Sequence, residues 1–477
     1  MQLFFAASEV APFIKTGGLA DVAGSLPNAL AKLGHDVRVI LPLYSAIPAQ
    51  WRRQMTFLKS FHFPLSWRNA YCGLFSLEYQ GLTYYFIDNE YYFKREGLYG
   101  QFDDGERFAY FSRAVVEVPI QLGWSPDIIH CNDWQTGLVP VYLLEARHRE
   151  PLLKHTKSVF TIHNIEYQGR FDRNILGDVL GLDESYFRED MLSYYGDVNL
   201  DKGAIYAADY ITTVSPTYAK ELQYAFYAHG LEGVIADNYH KFTGILNGID
   251  MAHNDPATDK FLPAPYSAHD LSGKAACKAA LQEKLGLNVD PDVPIIACIS
   301  RLVAHKGYEL VTAAFPKIME HYVQFVVLGT GDWGIESFFR MAAQEYPGRV
   351  SANLMYSAEL ASQIYAGADL LLMPSIAEPC GLSQMIAMRY GTVPIVRLTG
   401  GLKDSVPAYN PTTGTGLGFT FGSITPGDLL GAIDRGLEVY ETDRPNWIGL
   451  MTRGMTTDFS WDQSATAYEK VYNQVIR

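Results

Sequence analysis

The sequence has few cysteines, and no two of them lie close together. Its five cysteines are scattered over 477 residues and form no Cys-x-x-Cys pair. Disulfide frameworks and structural zinc sites in small folds need an even number or a close pairing of such residues. We therefore expect free thiols, no structural metal and a reducing, cytoplasmic location.

Positive charge and long apolar runs are also scarce. The chain has 38 basic and 52 acidic residues, which gives a net charge of −14. Proteins that bind nucleic acid present a basic face, and a membrane span needs about 20 consecutive apolar residues. No basic leader precedes the first apolar run at residues 3–7. The sequence therefore predicts neither nucleic acid nor membrane as a partner, although local cations can still bind a small anion.

What the chain does have is a regular alternation of strand-like and helix-like segments. Its length is typical of two or three domains, and 48% of its residues are hydrophobic. Short apolar runs predict strands in each half, with helical spacing between them at 308–320, 335–345, 359–366 and 382–390. The predicted strands are 3–7, 37–41, 127–130, 159–163 and 210–214, then 295–299, 325–328, 369–373 and 394–396. This pattern predicts an α/β fold of two doubly wound, Rossmann-like domains that face a deep inter-domain cleft.

The domain boundary is predicted where the alternation is interrupted. An Asn-Gly-Ile-Asp turn at 247–250 is followed by an irregular stretch that contains proline. We expect an N-terminal domain over 1–250, a C-terminal domain over 251–457 and a final helix within 458–477. Pro27 falls inside the first predicted helix, so a kink or a restart is expected there.

One short motif occurs near both ends of the chain. Residues 16–21 read Thr-Gly-Gly-Leu-Ala-Asp and residues 399–404 read Thr-Gly-Gly-Leu-Lys-Asp. Each glycine pair follows an apolar strand and precedes a predicted helix, where backbone N–H groups attract anions. Lys15 adds a full charge beside the first copy. The pair predicts two loops that bind phosphate or sugar, whereas one copy alone would indicate only a tight turn.

Two cations follow the strand at 295–299. Arg301 and Lys306 lie where open α/β sheets bind ligands, and an arginine fork with a lysine point charge suits a diphosphate. Taken alone, the segment fits a pair of solvated loop cations equally well.

Other candidate residues stand at the ends of strands. Glu378 precedes a helix whose first amides, at 380–382, could hold an anion; the alternative is a simple acid at a helix start, with Cys380 a small core residue. His163 ends a strand and fits a structural histidine as well as a site residue. Asp133 and Trp134 offer a carboxylate and an aromatic platform that would suit a sugar. The equally good alternative is that Trp134 is a buried core residue. Residues 329–332 (Gly-Thr-Gly-Asp) and 290–292 (Asp-Pro-Asp) are interpreted as turns.

Taken together, these stretches resemble the family of bacterial glycogen synthases and plant starch synthases, retaining GT-B glucosyltransferases of family GT5. The resemblance extends over nearly the whole chain and rests on segments 15–22, 102–107, 161–164, 213–215, 246–250, 300–307, 378–382, 399–401 and 458–461. It implies transfer of glucose from ADP-glucose to the non-reducing 4-hydroxyl end of glycogen or a malto-oligosaccharide, with ADP released. The absence of a transit segment favours the bacterial branch. No oligomeric state is predicted.

The resemblance also implies roles for individual residues. In the C-terminal half, Arg301 and Lys306 would neutralise the diphosphate and Glu378 would bind the sugar hydroxyls. Tyr356 would stack on adenine, and the last helix would return to the first domain. Lys15 and Gly18 would contact the donor diphosphate, with Asp21 nearby, and Asn247 and His163 would hold the glucose. The pocket would be completed by Cys380, Gly381, Leu382 and Thr399. Asp133 is the predicted acceptor contact, and no metal is expected.

The sequence departs from the family pattern at a few positions. Ile376 and Ala377 stand where many relatives have arginine and an aromatic, and Asn132 stands where histidine is common. Ile386 occupies a position that is a second glutamate in related retaining enzymes. No carboxylate is clearly placed as a nucleophile, so the hypothesis is front-face displacement with the diphosphate accepting the acceptor proton.

Two other functions share parts of this pattern. A nicotinamide oxidoreductase would have the same fold, but residues 16–21 lack its first-loop fingerprint. A non-catalytic glucan-binding protein would need no cations facing a phosphate. Nicotinamide binding and ADP release distinguish these alternatives.

Overall fold

The computed structural model describes Met1–Arg477 and divides into two compact units. Unit 1 comprises Met1–Gly248 and Trp461–Arg477, and unit 2 comprises Ile249–Ser460. The predicted boundaries after 250 and 457 lie close to these divisions. Each unit is built around its own sheet.

Unit 1 contains a nine-stranded sheet and a separate three-stranded one. Its strands are β1 (Gln2–Ala6), β2 (Asp36–Pro42), β3 (Thr56–Leu65), β4 (Arg68–Tyr79), β5 (Leu82–Asp88), β6 (Ile128–Asn132), β7 (Lys157–Ile162), β8 (Arg170–Asp172), β9 (Ser193–Tyr194), β10 (Asp197–Asn199), β11 (Tyr210–Thr213) and β12 (Phe242–Gly244). The large sheet has the order β12-β11-β7-β6-β1-β2-β5-β4-β3. Within the large sheet, only the β3–β4 and β4–β5 pairings are antiparallel.

The helices of unit 1 connect these strands. They are α1 (Gly18–Lys32), α2 (Ala49–Arg52), α3 (Glu90–Phe93), α4 (Asp104–Leu122), α5 (Leu138–Arg149), α6 (Ile175–Asp178), α7 (Leu200–Ala207), α8 (Pro216–Glu221), α9 (Ala225–Ala228) and α10 (Glu232–Asp237). Pro27 lies within α1, which runs without interruption, so the expected restart does not occur. The proline ring is buried, and packing holds this helix together despite the lost hydrogen bond.

Unit 2 is a six-stranded parallel sheet with helices around it. Its strands are β13 (Ile295–Ile299), β14 (Gln324–Leu328), β15 (Val350–Asn353), β16 (Leu370–Met373), β17 (Val393–Arg397) and β18 (Phe419–Phe421). Its helices are α11 (Ser272–Lys284), α12 (Tyr308–Ile318), α13 (Trp333–Glu345), α14 (Ala358–Gly367), α15 (Ser383–Arg389), α16 (Gly400–Ser405), α17 (Pro426–Thr442) and α18 (Arg444–Thr456). The strand order β15-β14-β13-β16-β17-β18 reverses direction between β13 and β16. This is the doubly wound arrangement predicted from the sequence.

The chain ends in α19 (Trp461–Val475), which packs against α1 of unit 1. A buried hydrogen-bond chain anchors it: the Tyr472 hydroxyl lies 2.7 Å from His130 Nδ1, and His130 Nε2 lies 2.6 Å from Thr161 Oγ1. Thr161 Oγ1 in turn lies 2.6 Å from Thr212 Oγ1. Burial lowers the pKa of His130 to about 3, so this imidazole is neutral at physiological pH. The last helix is thereby tied to three neighbouring strands of the large sheet.

The cores of both units consist of the apolar faces that these elements share. In unit 2, β13 and β14 are almost completely buried, as expected for parallel strands covered on both faces. No helix in the structure has the length and apolar character needed to cross a membrane.

Candidate active site

The reversal of strand order in unit 2 places the loops that carry the predicted cations and acid at the same edge of the sheet. In open α/β sheets, the loops that leave β13 and β16 diverge at this point and open a crevice at the carboxyl ends of the strands. Arg301 and Lys306 follow β13, Lys306 in the 3-10 turn Ala304–Lys306, and Glu378 follows β16. The candidate site of unit 2 therefore lies at its topological switch point.

Lys306 and Glu378 form an ion pair at this position. Lys306 Nζ lies 2.6 Å from Glu378 Oε2, and Ser375 Oγ donates to the same oxygen over 2.9 Å. The Glu378 side chain is 8% exposed and that of Lys306 is 18% exposed. Because both donors meet Oε2, Oε1 is the oxygen that can accept from a ligand hydroxyl. Such an ordered carboxylate can bind hydroxyl groups without rearranging.

The second Gly-Gly pair supports the backbone beside Glu378. Gly400 has a φ of +43°, and a Cβ there would lie 1.9 Å from the Glu378 carbonyl oxygen. The Gly401 amide donates to the carbonyls of Glu378 and Pro379. These glycines are required by close backbone contact, so the two copies of the motif are not equivalent loops.

The other predicted residues of this segment line the same turn. Gly381 has a φ of +71°, where a side chain would be strained. Cys380 and Thr399 are buried, whereas Leu382 directly precedes α15 and is half-buried. Arg397, also buried, donates from Nε to the Ser375 carbonyl over 2.8 Å and also bonds the Ile376 carbonyl. A guanidinium absent from the sequence prediction thus holds the segment before Glu378.

The side chain of Arg301 is exposed, and backbone hydrogen bonds of the next residue hold its loop in place. It forms no ion pair, unlike Lys306. The following residue, Leu302, exchanges backbone hydrogen bonds with Thr330 and Asp332, and a Cβ on Gly331 would lie 2.1 Å from the Leu302 carbonyl oxygen. The Gly-Thr-Gly-Asp turn therefore supports the Arg301 loop, in agreement with its interpretation as a turn.

Two exposed aromatic side chains lie at the same edge of the sheet. Tyr356 follows β15 and is 84% exposed, and Trp333 begins α13 after β14 and is 80% exposed. Exposed rings of this size are platforms on which a base or a sugar can stack. Tyr356 was predicted and Trp333 was not, although its position directly after Gly-Thr-Gly-Asp was a usable signal.

In unit 1, the sheet order reverses between β1 and β6, and the Lys15 loop follows β1. Lys15 Nζ contacts both carboxylate oxygens of Asp21, at 2.7 and 2.8 Å. Gly17 is the N-cap of α1 and supplies no side-chain cap, while a Cβ on Gly18 would meet nothing within 4 Å. The helix start is therefore open to an anion, and a charged lysine lies next to it.

A buried carboxylate lies beneath this loop, and the sequence analysis missed it. Glu9 Oε2 accepts hydrogen bonds from both the amide and the hydroxyl of Thr16, each over 2.6 Å. Burial raises the pKa of Glu9 above its ordinary value, and the Thr16 bonds partly oppose this shift. The only sequence signal was an acid within an apolar segment.

Asp133 and His163 meet at the ends of β6 and β7. Asp133 Oδ1 accepts from the His163 amide over 2.7 Å, and burial raises the pKa of Asp133 to about 7. Asp133 also has a φ of +57°, a strained conformation for this residue type that is common at functional sites. The Asp133 carboxylate thus orders the turn that carries His163.

The His163 ring is oriented by Asn132. Its Nε2 lies 2.9 Å from Asn132 Oδ1, while Asn132 Nδ2 donates to the Ala6 carbonyl. Burial lowers the pKa of His163 to about 3, so the neutral ring donates from Nε2 and keeps the Nδ1 lone pair as an acceptor. The departure at Asn132 therefore has a defined structural role.

Asn247 follows β12, at the carboxyl end of the same sheet. It is 6% exposed, and its Oδ1 has no hydrogen-bond partner. Buried polar atoms are usually paired, so such an atom marks a position where a ligand can supply the missing donor.

The structure thus brings the predicted residues together at one edge of each sheet. Direct hydrogen bonds join Lys15 with Asp21, Asp133 with His163, and Lys306 with Glu378. A cavity of about 420 Å³ in unit 2 is lined by other residues, among them Asp255, His269 and Arg389. Arg389 is already bound to Asp255 and to backbone carbonyls, so that cavity does not belong to the candidate site.

Known families match both units of the chain. Residues 2–237 match the family model described as the starch synthase catalytic domain, and residues 281–443 match glycosyl transferases group 1. The glycogen synthase of Geobacillus thermodenitrificans is 51% identical, with 100% of this chain and 98% of the relative covered. That of Bacillus cereus strain ATCC 14579 is 48% identical over the full length of both chains.

Solved structures agree with this assignment. The catalytic domain of starch synthase IV from Arabidopsis thaliana, solved with ADP and acarbose, superimposes with a TM-score of 0.92 at 39% identity, covering 100% of this chain and 99% of that one. Sucrose-phosphate synthase from Thermosynechococcus elongatus, at 18% identity and a TM-score of 0.63 over 99% and 98% of the two chains, shares the fold. The chain therefore has the GT-B fold of two Rossmann-like domains and belongs to the glycogen synthase family of glucosyltransferases.

Proposed function

We propose that this protein transfers glucose from ADP-glucose to the non-reducing 4-hydroxyl end of an α-1,4-glucan, with retention of configuration, in bacterial glycogen synthesis. The observation that carries the proposal is the Arg301, Lys306 and Glu378 group at the switch point of unit 2. It combines two cations for a diphosphate with an ordered carboxylate for sugar hydroxyls. The ADP in the starch synthase IV structure, a 39% identical relative, supports the same donor class.

Each candidate residue has a proposed partner on the substrates. Arg301 and Lys306 bind the diphosphate, as do Lys15 and the Gly18 amide, with Asp21 holding Lys15. Tyr356 stacks on adenine. Glu378, Asn247 and His163 bind the glucose, and Asp133 serves the acceptor side. The turn formed by Cys380, Gly381, Leu382 and Thr399 completes the donor pocket.

Catalysis is proposed to rest on stabilising the leaving group. As the bond between the anomeric carbon and the phosphate oxygen breaks, negative charge grows on ADP, and fixed cations stabilise it where it develops. The acceptor 4-hydroxyl oxygen bonds to the same face of the anomeric carbon, and its proton passes to the departing phosphate oxygen. Glu378 is proposed to bind the sugar hydroxyls and Asp133 to serve the acceptor side, so neither carboxylate is assigned as a nucleophile.

A donor panel tests the proposed function. With glycogen as primer, we expect ADP-glucose to give a kcat/KM about tenfold or more above that of UDP-glucose, equivalent to roughly 1.4 kcal/mol of discrimination. The measurement is nucleotide release together with the linkage of the added glucose. Reactions without primer are the control for donor hydrolysis. Equal or faster transfer from UDP-glucose would contradict the donor assignment, and absence of transfer from every donor would favour a glucan-binding protein.

The reaction is also proposed to need no metal cofactor. Lys15, Arg301, Lys306 and the start of α1 supply positive potential that a magnesium ion provides in other phosphate sites. We expect turnover in excess EDTA to stay within about twofold of the untreated enzyme, far from the losses that follow removal of a catalytic charge. The assay is ADP release with and without the chelator. Loss of activity that added magnesium restores would show that these residues do not suffice.

The bacterial cytoplasm is the proposed location. All five cysteines are free and buried, which suits a reducing compartment. Glycogen or malto-oligosaccharide is the proposed partner of the enzyme.

A further inference from the structure

The residue with the clearest unexplained placement is Glu9. It is only 3% exposed and lies between β1 and the Lys15 loop. A buried carboxylate is unfavourable unless hydrogen bonds compensate it. Here one oxygen, Oε2, receives two donors from a single residue, the amide and the hydroxyl of Thr16. Two bonds to one residue fix both its backbone and its side chain.

The same carboxylate also reaches the next residue of the loop. A hydrogen bond from the Gly17 amide is among the influences that lower the pKa of Glu9, and a Cβ on Gly17 would lie 3.6 Å from Glu9 Oε1. The amides of Thr16 and Gly17 are therefore turned towards the interior. The first amide left for an external anion belongs to Gly18, where α1 begins and the surrounding space is open.

Electrostatics alone would disfavour an acid at this position. Asp21 lies close enough to raise the pKa of Glu9 further, and an anionic ligand on the loop would add to the repulsion. What a carboxylate offers in return is the strength of charge-assisted hydrogen bonds, roughly twice that of neutral ones. The negative charge of Glu9 thus weakens the attraction of the loop for an anion, while its hydrogen bonds to Thr16 fix the loop.

We infer that Glu9 is a positioning residue of the transfer reaction: acting through Thr16, it holds the Lys15–Gly18 loop in the conformation that receives the donor diphosphate. This inference rests on the proposed function, because it takes the diphosphate as the ligand of the loop. Glu9 itself does not touch the substrate. Its effect is carried by the contact with Thr16.

Kinetics of Glu9→Gln and Thr16→Val test the inference. A misplacement of about 1 Å in a binding group can cost on the order of 10²-fold in rate, so each variant is expected to lower kcat/KM for ADP-glucose by about 10–10². The KM for the glucan should change far less. ADP affinity, measured by calorimetry, should fall in parallel. Thr16→Ser, which keeps the amide and the hydroxyl, should retain most of the activity.

A double-variant cycle separates positioning from general destabilisation. If Glu9 acts through Thr16, the Glu9→Gln/Thr16→Val protein should be no worse than the more damaged single variant. The chain offers a matched control on the same sheet: Thr83 Oγ1 donates to Glu78 Oε1 over the same 2.6 Å, near the amino end of β5. Glu78→Gln and Thr83→Val should leave both kinetic constants unchanged.

The possible results lead to different conclusions. Fully additive losses, or normal kinetics in a folded Glu9→Gln or Thr16→Val protein, would overturn the inference. If Glu9→Gln fails to fold by thermal melting, Thr16→Val decides alone, because that side chain is exposed. Failure of the wild-type protein to use ADP-glucose would instead refute the proposed function.

Discussion

Replacing Glu378 by alanine is expected to lower kcat by about 10²–10³, the usual cost of losing a preorganised polar group at the reacting centre. The carboxylate is ordered before substrate arrives, because Lys306 and Ser375 both donate to Oε2. The other oxygen is then ready for the sugar hydroxyls. The measurement is steady-state ADP release with saturating donor and glycogen. Glu378→Gln, which keeps an acceptor oxygen, should lose less.

Glu359→Ala is the matched control in the same unit. Glu359 also pairs with a lysine, Lys284, over 3.2 Å, but both side chains are about half exposed. It should behave as the wild type, because exposed ion pairs contribute little. A kcat for Glu378→Ala within a few-fold of wild type would reduce Glu378 to an acid at a helix start.

Replacing Lys306 by alanine is expected to lower kcat/KM for ADP-glucose by about 10²–10³ and to weaken ADP binding, because a fixed cation at the diphosphate is lost. Steady-state kinetics and calorimetry with ADP measure the two effects. Lys306→Arg should recover only part of the loss, since a guanidinium differs from an ammonium in shape and hydration. Lys284→Ala, which removes an exposed lysine from an ion pair, serves as the control.

A second variant excludes the simplest alternative. If Lys306 served only to neutralise buried Glu378, then Lys306→Ala/Glu378→Gln would bind ADP as well as Glu378→Gln does. We expect the double variant to stay impaired in ADP binding. If the double variant bound ADP as well as Glu378→Gln, Lys306 would serve to neutralise the buried Glu378 carboxylate and not to bind the donor.

The strands that the sequence predicted are largely buried on both faces, but burial alone did not suffice, because β5 is also largely buried and was not predicted. Residues 295–299 were predicted, and β13 occupies the same residues, because a β-branched apolar run flanked by Pro294 and Ser300 admits few alternatives. No element was predicted for β3, which is mostly exposed and pairs only with β4. Phe61, Phe63 and Leu65 alternate along this strand, but it has no continuous apolar run like those that identified the buried strands. Its partner is instead determined by the chain reversal after Leu65.

The candidate site divides in a similar way. Arg301, Lys306 and Glu378 were predicted because they directly follow apolar strands, where ligands bind in this fold class. Glu9 was missed because its contact with Thr16 exists only once the loop folds back through the Val10–Ile14 bridge. The neutral state of His163 likewise depends on burial, and the orientation of its ring depends on Asn132; no local pattern encodes either.

The return of α19 to unit 1 has a consequence for the order of biosynthesis. When Gly248 has been made, the side chain that bonds His130 in the finished protein, Tyr472, does not yet exist. A ribosome adding about 5–20 residues per second needs roughly 10–40 seconds to translate unit 2 before α19 follows. For that interval the nascent first unit keeps an uncovered apolar seam along α1. Premature termination within unit 2 therefore releases a chain in which neither unit has its complete core. Unit 1 can finish folding only after α19 has been translated.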